Sequence, residues 1–441
     1  MNQMIIKELS HFLEQSPTPF HAISNISDIL LKNNYTQLHE NQKWQIKKGG
    51  RYFVIRNGSS IVAFVIPADG MSGMHIMASH SDSPAFKIKE NPELDADGHY
   101  IRLNTERYGG MLCAPWLDRP LSVAGRVIVK DKHNGYISKL VNVDRDLVLI
   151  PSLAIHMNRD ANNGYKYNMQ KDMLPLYGNL TAKDSFMKII AESAGVQKED
   201  ILGHDLFLYN RQKTSVWGGS EEFISCGRLD DLQCVFASLS GFLAGTAGIG
   251  QATTASEKTE RHRSRTHMPV LCVLDNEEVG SETKQGAAST FLYDTLTRIH
   301  SSLGYTQEDY LIHLADSFMI SADNAHAVHP NHPDKADLSN RPYLNGGIVL
   351  KFNGNQKYCT DGISAAMFRD ICKQAGVPVQ TFTNRSDMTG GSTLGNISNT
   401  RVALNTADIG LPQLAMHSPY ETAGILDTEY LIKASEIFFK A

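Results

Sequence analysis

Apolar positions along this chain change their period several times, and each change marks a new element. Near the amino terminus Ile5, Leu9, Phe12 and Leu13 recur at helical spacing up to the breakers Pro17 and Pro19. Ile23, Ile26, Ile29, Leu30 and Leu31 carry a second helical stripe, so two helices are predicted. The runs Arg51 to Ile55 and Ile61 to Ile66 flank Asn57-Gly58, a dipeptide suited to a two-residue hairpin turn. Met74 to Ala78 is a short apolar run that reads as a buried strand whose end delivers His80.

From about Asn91 to Ser225 the pattern shortens to β-like segments separated by turn residues, such as Val127 to Val129, His133-Asn134-Gly135 and Tyr136 to Leu140. This predicts an inserted, β-rich lobe over 93–226 that divides an α/β domain into 1–92 and 227–441. Leu232 to Leu243 reads as a helix. Gly245 to His267 is polar without an apolar period and reads as a mobile loop, and its basic run Arg261-His262-Arg263-Ser264-Arg265 reads as solvated. Beyond it come a strand at Val270 to Leu274, a helix at Ala287 to Leu303, and strands at Met319 to Ala322 and Gly347 to Phe352. A helix at Ile363 to Ala375, strands at Val377 to Thr383 and Val402 to Asn405, and a helix at Asp427 to Phe439 complete the series. Such alternation predicts an α/β fold with a mostly parallel sheet flanked by helices.

Length agrees with this division: 441 residues exceed the roughly 100–200 typical of one domain. The net charge of −5 supplies no basic field, so neither nucleic acid nor an anionic membrane is an expected partner. Lys7 and Glu8 precede any apolar stretch, and no run approaches the roughly 20 apolar residues that span a bilayer, so a soluble cytoplasmic protein is expected. The six cysteines (Cys113, Cys226, Cys234, Cys272, Cys359 and Cys372) form no Cys-x-x-Cys pair and read as reduced, mostly buried thiols.

Five segments, far apart, each hold a side chain able to bind zinc: His80-Ser81-Asp82, Arg228-Leu229-Asp230-Asp231, Asp275-Asn276-Glu277-Glu278, Ser321-Ala322-Asp323 and Met416-His417-Ser418. Several follow apolar runs, and strand ends are where open α/β sheets place their ligands. Two imidazoles with several carboxylates suit a hydrolytic zinc pair better than a structural zinc site. Asp82, two residues after His80, is placed to orient that imidazole. Glu277 and Glu278 can reach one site only if they lie past the strand end, in a turn. His75, His326, His329 and His332 read as surface or supporting histidines.

In this order the segments resemble the M18 family of metallopeptidases, the aspartyl aminopeptidases. The likeness runs from Ser16-Pro17-Thr18-Pro19-Phe20-His21-Ala22 through His80-Ser81-Asp82-Ser83-Pro84, Leu153-Ala154-Ile155-His156 and Arg228-Leu229-Asp230. It continues in Asp323-Asn324-Ala325-His326-Ala327-Val328-His329-Pro330 and Arg385-Ser386-Asp387-Met388, and closes at Ala415-Met416-His417-Ser418. Asp231, where an Asn is common, and Met388-Thr389-Gly390-Gly391, in place of a Cys-Gly stretch, depart from the pattern.

The resemblance implies two zinc ions, with cobalt or manganese as substitutes. It assigns His80 and Asp323 to one ion, Glu278 and His417 to the other, and Asp230 to the bridge. It implies Glu277 as general base, a cis Asp230–Asp231 peptide, and removal of amino-terminal Asp or Glu from peptides. Lys351 is the candidate cation for an acidic side chain, and His156 would reach the site of a neighbouring subunit. Dimers assembling into a dodecamer would follow. Alternatives at this point are a two-zinc amidohydrolase acting on acylated amino acids, and a silent assembly or cargo protein of the same fold.

Overall fold

A computed structural model of the chain describes residues 2–131, 133, 135–249 and 266–440. The basic run 261–265 and most of the polar segment around it lie outside the described residues. The two amino-terminal helices span Asn2–Gln15 and Pro19–Lys32, the second opened by proline at its first turn, where no backbone N–H is needed. Asn57 and Gly58 both take positive φ, 58° and 68°, as a tight turn between right-twisted strands requires, and Arg51–Arg56 pairs antiparallel with Ser60–Val65.

A nine-stranded sheet forms the larger layer. Its order is Thr36–Leu38, Arg51–Arg56, Ser60–Val65, His267–Leu274, Gly73–His80, Phe318–Ala322, Asn405–Gly410, Ile348–Phe352 and Val379–Thr383. The four strands from His267–Leu274 to Asn405–Gly410 are mutually parallel, so their carboxyl ends lie along one edge. Alternate residues feed two cores: Ile61, Ala63 and Val65 pack on one face with Leu13, Phe242 and Phe438. Val62, Phe64 and Ile66 pack on the other with Phe291, Leu296 and Tyr310. The sheet is thus covered by helices on both sides, which is why its strands read as continuous apolar runs.

A second, six-stranded antiparallel sheet is built from strands between Ala85 and Asn210, with its own core around Phe86, Trp116, Val123 and Phe186. It begins ahead of residue 93, because Ala85–Ala96 follows His80 almost directly and pairs with Tyr100–Tyr108. A five-stranded sheet then ties distant segments together: Ser215–Trp217, Phe223–Cys226, Glu421–Gly424, Pro412–Leu414 and Ala325–His326.

Other expected boundaries move as well: Gly245 and Thr246 extend a helix and His267 opens a strand, so the expected loop is shorter at both ends. The strand expected at Val402 to Asn405 lies at Asn405–Gly410; Val402 belongs to the turn after the helix Leu394–Ser398, and the buried Asp408 interrupts the apolar run of the true strand. The helix expected from Ala287 begins at Phe291. The helix Phe186–Ala194, inside the region read as strands, was not anticipated. Among the described residues no helix is long and apolar enough to cross a membrane.

Candidate metal centre

His80 is the last residue of its strand and lies in register with Leu274 of the neighbouring one, so residues leaving both ends meet over the same edge. After Leu274 and Asp275, Asn276 adopts φ 64° and turns the chain into the short 3-10 segment Glu277–Val279. That turn lets Glu277 and Glu278 both face His80, with one donor atom from each of the three within 4.8 Å of the others. Asp323 follows the end of Phe318–Ala322 on the other side of His80. Asp230 and Asp231 form a non-helical kink near the start of Leu229–Thr246, and the peptide between them is cis, the form the resemblance implies. His417 sits between Pro412–Leu414 and Glu421–Gly424, in the small sheet that also fixes the approach to Asp230.

Asp230 is the carboxylate that faces both imidazoles. Its Oδ1 lies 3.4 Å from His80 Nε2, and its Oδ2 lies 3.5 Å from His417 Nε2. His80 Nε2 is 3.7 Å from Asp323 Oδ1, and His417 Nε2 is 3.4 Å from Glu278 Oε2. Among the described residues three overlapping donor groups form: Asp231 with His80, Asp230 and Asp323; His80 with Glu277 and Glu278; and Asp230 with Glu278 and His417.

The electrostatics call for cations. Burial would lower the His80 imidazole, but Asp231, Asp230, Asp323 and Asp82 raise it well above its ordinary value. His417, which burial also opposes, is raised to about 9, chiefly by Asp230. Glu278 is pushed well up by burial and Asp230; Glu277 rises to about 8 through burial, with His80 opposing and Asp323, Asp82 and Asp230 adding. Asp230 Oδ1, Asp231 Oδ1 and Glu278 Oε1 are buried without a hydrogen-bond donor. Anionic oxygens in that position are costly unless a cation meets them, and the mixture of imidazole and carboxylate donors fits zinc.

A frame of buried acceptors holds these donors by their backbones. Asp82 Oδ1 accepts from Glu277 N–H at 3.1 Å, and its Oδ2 accepts from Glu278 N–H at 3.2 Å. Toward His80 Nδ1 the nearer acceptor is the Asp82 main-chain carbonyl, at 3.1 Å, with the carboxylate Oδ1 at 3.4 Å. Asp231 Oδ2 accepts from His80 N–H at 3.0 Å. Glu421, absent from the sequence reading, accepts from His417 N–H at 2.7 Å and from Asp230 N–H at 3.0 Å, which ties two donor segments to one carboxylate. His417 Nδ1 donates to the Gly110 carbonyl, and this leaves Nε2 free for a metal.

Lys351 is buried with its Nζ 3.5 Å from Asp323 Oδ2 and 5.4 Å from the centre of the Tyr358 ring. His326, three residues after Asp323, also belongs to this neighbourhood. The sequence places it among the surface or supporting histidines, and in the fold it pairs in register with Gln413. His156, by contrast, lies in an exposed turn flanked by the exposed Ile155 and Met157, and it joins no group of metal donors among the described residues.

Comparison with known proteins bears on this geometry. A family model described as aminopeptidase I zinc metalloprotease (M18) matches residues 12–439. A probable M18 family aminopeptidase 2 of Clostridium acetobutylicum is 46% identical over 440 residues, covering 98% of each chain. Its namesake in Ectopseudomonas mendocina is 37% identical over 450 residues, covering 100% of this chain and 99% of the other. Among solved structures, a chain of the Ape4 and Nbr1 complex superposes with a TM-score of 0.92 at 33% identity, over 100% of this chain and 86% of that one. The mApe1 dodecamer of S. cerevisiae gives 0.85 at 27% identity, over 100% and 97%.

Proposed function

The chain belongs to the M18 family of zinc aminopeptidases, and on that premise we propose that it removes single residues, by preference Asp or Glu, from the amino termini of short peptides, with two zinc ions and Glu277 as general base. The observation that carries the two-ion reading is Asp230, whose two oxygens face two different imidazoles at 3.4 and 3.5 Å. His80, Asp230 and Asp323 would hold one ion, and Asp230, Glu278 and His417 the other. Bound zinc polarises a carbonyl and makes water acidic enough to serve as a nucleophile near neutral pH.

What the chain's own residues contribute is proton transfer and positioning. Glu277, beside His80 and Glu278, takes a proton from the attacking water as its oxygen bonds to the scissile carbonyl carbon. It returns that proton to the departing nitrogen when the C–N bond breaks. Lys351 would face the substrate's acidic side chain from the Asp323 side of the site. Replacing Lys351 with Met should raise KM for Asp- and Glu-initiated peptides about tenfold or more relative to Leu-initiated ones. An equal change for all substrates would remove Lys351 from the specificity pocket.

The mApe1 neighbour is a dodecamer, and the exposed turn with Leu153, Ile155 and Met157 beside His156 suits burial against a second copy. We assign this chain a closed homo-oligomer in which His156 enters a neighbour's site. Dilution to monomer, followed by sedimentation alongside turnover, should lower kcat; full turnover by monomer would remove His156 from the reaction. The assay that tests the whole reading compares release from Asp-, Glu-, Leu- and Lys-initiated peptides and their N-acetylated forms, before and after chelation. Cleavage of the acetylated forms would point to an amidohydrolase.

A further inference from the structure

One strand of the second sheet ends inside the metal centre. Tyr100–Tyr108 runs out at Tyr108, and the residues after it pass both halves of the donor cluster. Tyr108 donates its O–H to Asp82 Oδ2 at 2.6 Å and accepts from Asn276 Nδ2 at 2.8 Å. Gly109, at φ 76°, lies so near the Glu277–Glu278 turn that a Cβ there would come within 3.1 Å of Glu278 Cβ. Gly110 gives its carbonyl to His417 Nδ1, and Leu112 N–H donates to the His417 carbonyl at 3.1 Å.

We propose that the segment Tyr108–Gly110 is a brace by which the second sheet sets the metal donors, with Tyr108 a positioning residue that acts through Asp82 on His80 and on the Glu277–Glu278 turn. The inference rests on the dinuclear reading above and deepens it. Asp82 is 1% exposed, so its carboxylate depends on protein donors alone. The phenol is the shortest of them, and a hydrogen bond to an ionised acceptor is about twice as strong as a neutral one. Without it, Oδ2 keeps only the Glu278 N–H at 3.2 Å, and the carboxylate is free to turn away from the Glu277 N–H. The other end of the contact is firm, since Asn276 Oδ1 accepts from Thr283 Oγ1 and Gln285 Nε2, each at 2.7 Å.

Tyr108→Phe tests this, because it keeps the ring and its edge-on packing on Phe207, 5.5 Å between centres, and removes only the hydroxyl. The expected result is a kcat about tenfold lower, KM within about twofold, and a zinc dissociation constant about tenfold higher, the range typical of partners behind a metal ligand. Arg126→Lys is the control. Arg126 also joins the two sheets, through the Asn57 carbonyl at 2.5 Å and Asp205 at 2.9 Å, yet bonds no donor. It should lower the melting temperature while kcat and zinc affinity stay within about twofold. Wild-type kcat and zinc affinity in Tyr108→Phe would overturn the proposal, and so would equal losses in Arg126→Lys, which would trace the effect to loss of lobe docking. Should the unaltered protein cleave no peptide, the peptidase reading fails by itself, and the zinc affinities of the two variants still decide the role of Tyr108.

Discussion

If Glu277 is the proposed base, replacing it with Gln should leave the zinc content unchanged and lower kcat by about 100- to 10,000-fold, the contribution of a positioned proton carrier. Gln keeps the size and the hydrogen-bonding reach of Glu but cannot accept the proton that must leave the attacking water. The backbone is insulated from the change, because the Glu277 N–H is held by Asp82 at 3.1 Å whatever the side chain is. KM should move little, since the loss falls on the transition state. Steady-state kinetics together with metal analysis of the same sample decide the matter. Near-normal kcat with full zinc would pass the base to another group.

A comparably large effect is expected from Asp230→Asn, which alters the residue proposed to be shared by two ions. The carboxylate directs one oxygen to each imidazole, whereas an amide offers one oxygen and one NH2 group, and the NH2 is repelled by a cation. Zinc content should fall from two ions per chain toward one or none. The value of kcat/KM should fall by at least about 1,000-fold, or about 4 kcal/mol at 1.36 kcal/mol per tenfold. The fold should persist, because the Asp230 N–H to Glu421 contact survives the exchange. Two tightly held ions in the variant would mean that Asp230 does not bridge.

The parts of this site that could be read from the chain are those carried by strand ends. His80, the Glu277–Glu278 pair and Asp323 each follow an apolar run of the parallel sheet, and a run buried on both faces has one place to release a polar group, its end. Asp230 and His417 lack that signal and rested on family likeness; they are brought to the site by the small sheet that pairs Cys226 with Glu421. Glu421 and Tyr108 were illegible for a different reason. Tyr108 bonds Asp82 across 26 residues, and Glu421 bonds the backbone amides of His417, four residues before it, and of distant Asp230; contacts to a remote carboxylate or to main-chain N–H groups leave no side-chain spacing pattern.

The fold shows the same division between local and long-range information. The hairpin at Asn57-Gly58 and the helix Gly362–Ala375, capped by Asp361 and closed by Gly376 at φ 65°, are set by neighbouring residues and were read correctly. The strand Asn405–Gly410 was displaced in the reading by Asp408. That carboxylate is fully buried because it accepts from Cys359 N–H at 2.6 Å and Thr393 O–H at 2.8 Å, partners that no local window contains. The strand Ala85–Ala96 has no counterpart in the sequence reading, because its mixed burial gives no steady alternation.

Diffraction from zinc-loaded crystals, recorded on either side of the zinc absorption edge, tests the central claim most directly. Two anomalous peaks about 3.5–4 Å apart, one on each oxygen of Asp230, are the predicted result. A single peak, or two peaks that do not share Asp230, would contradict it.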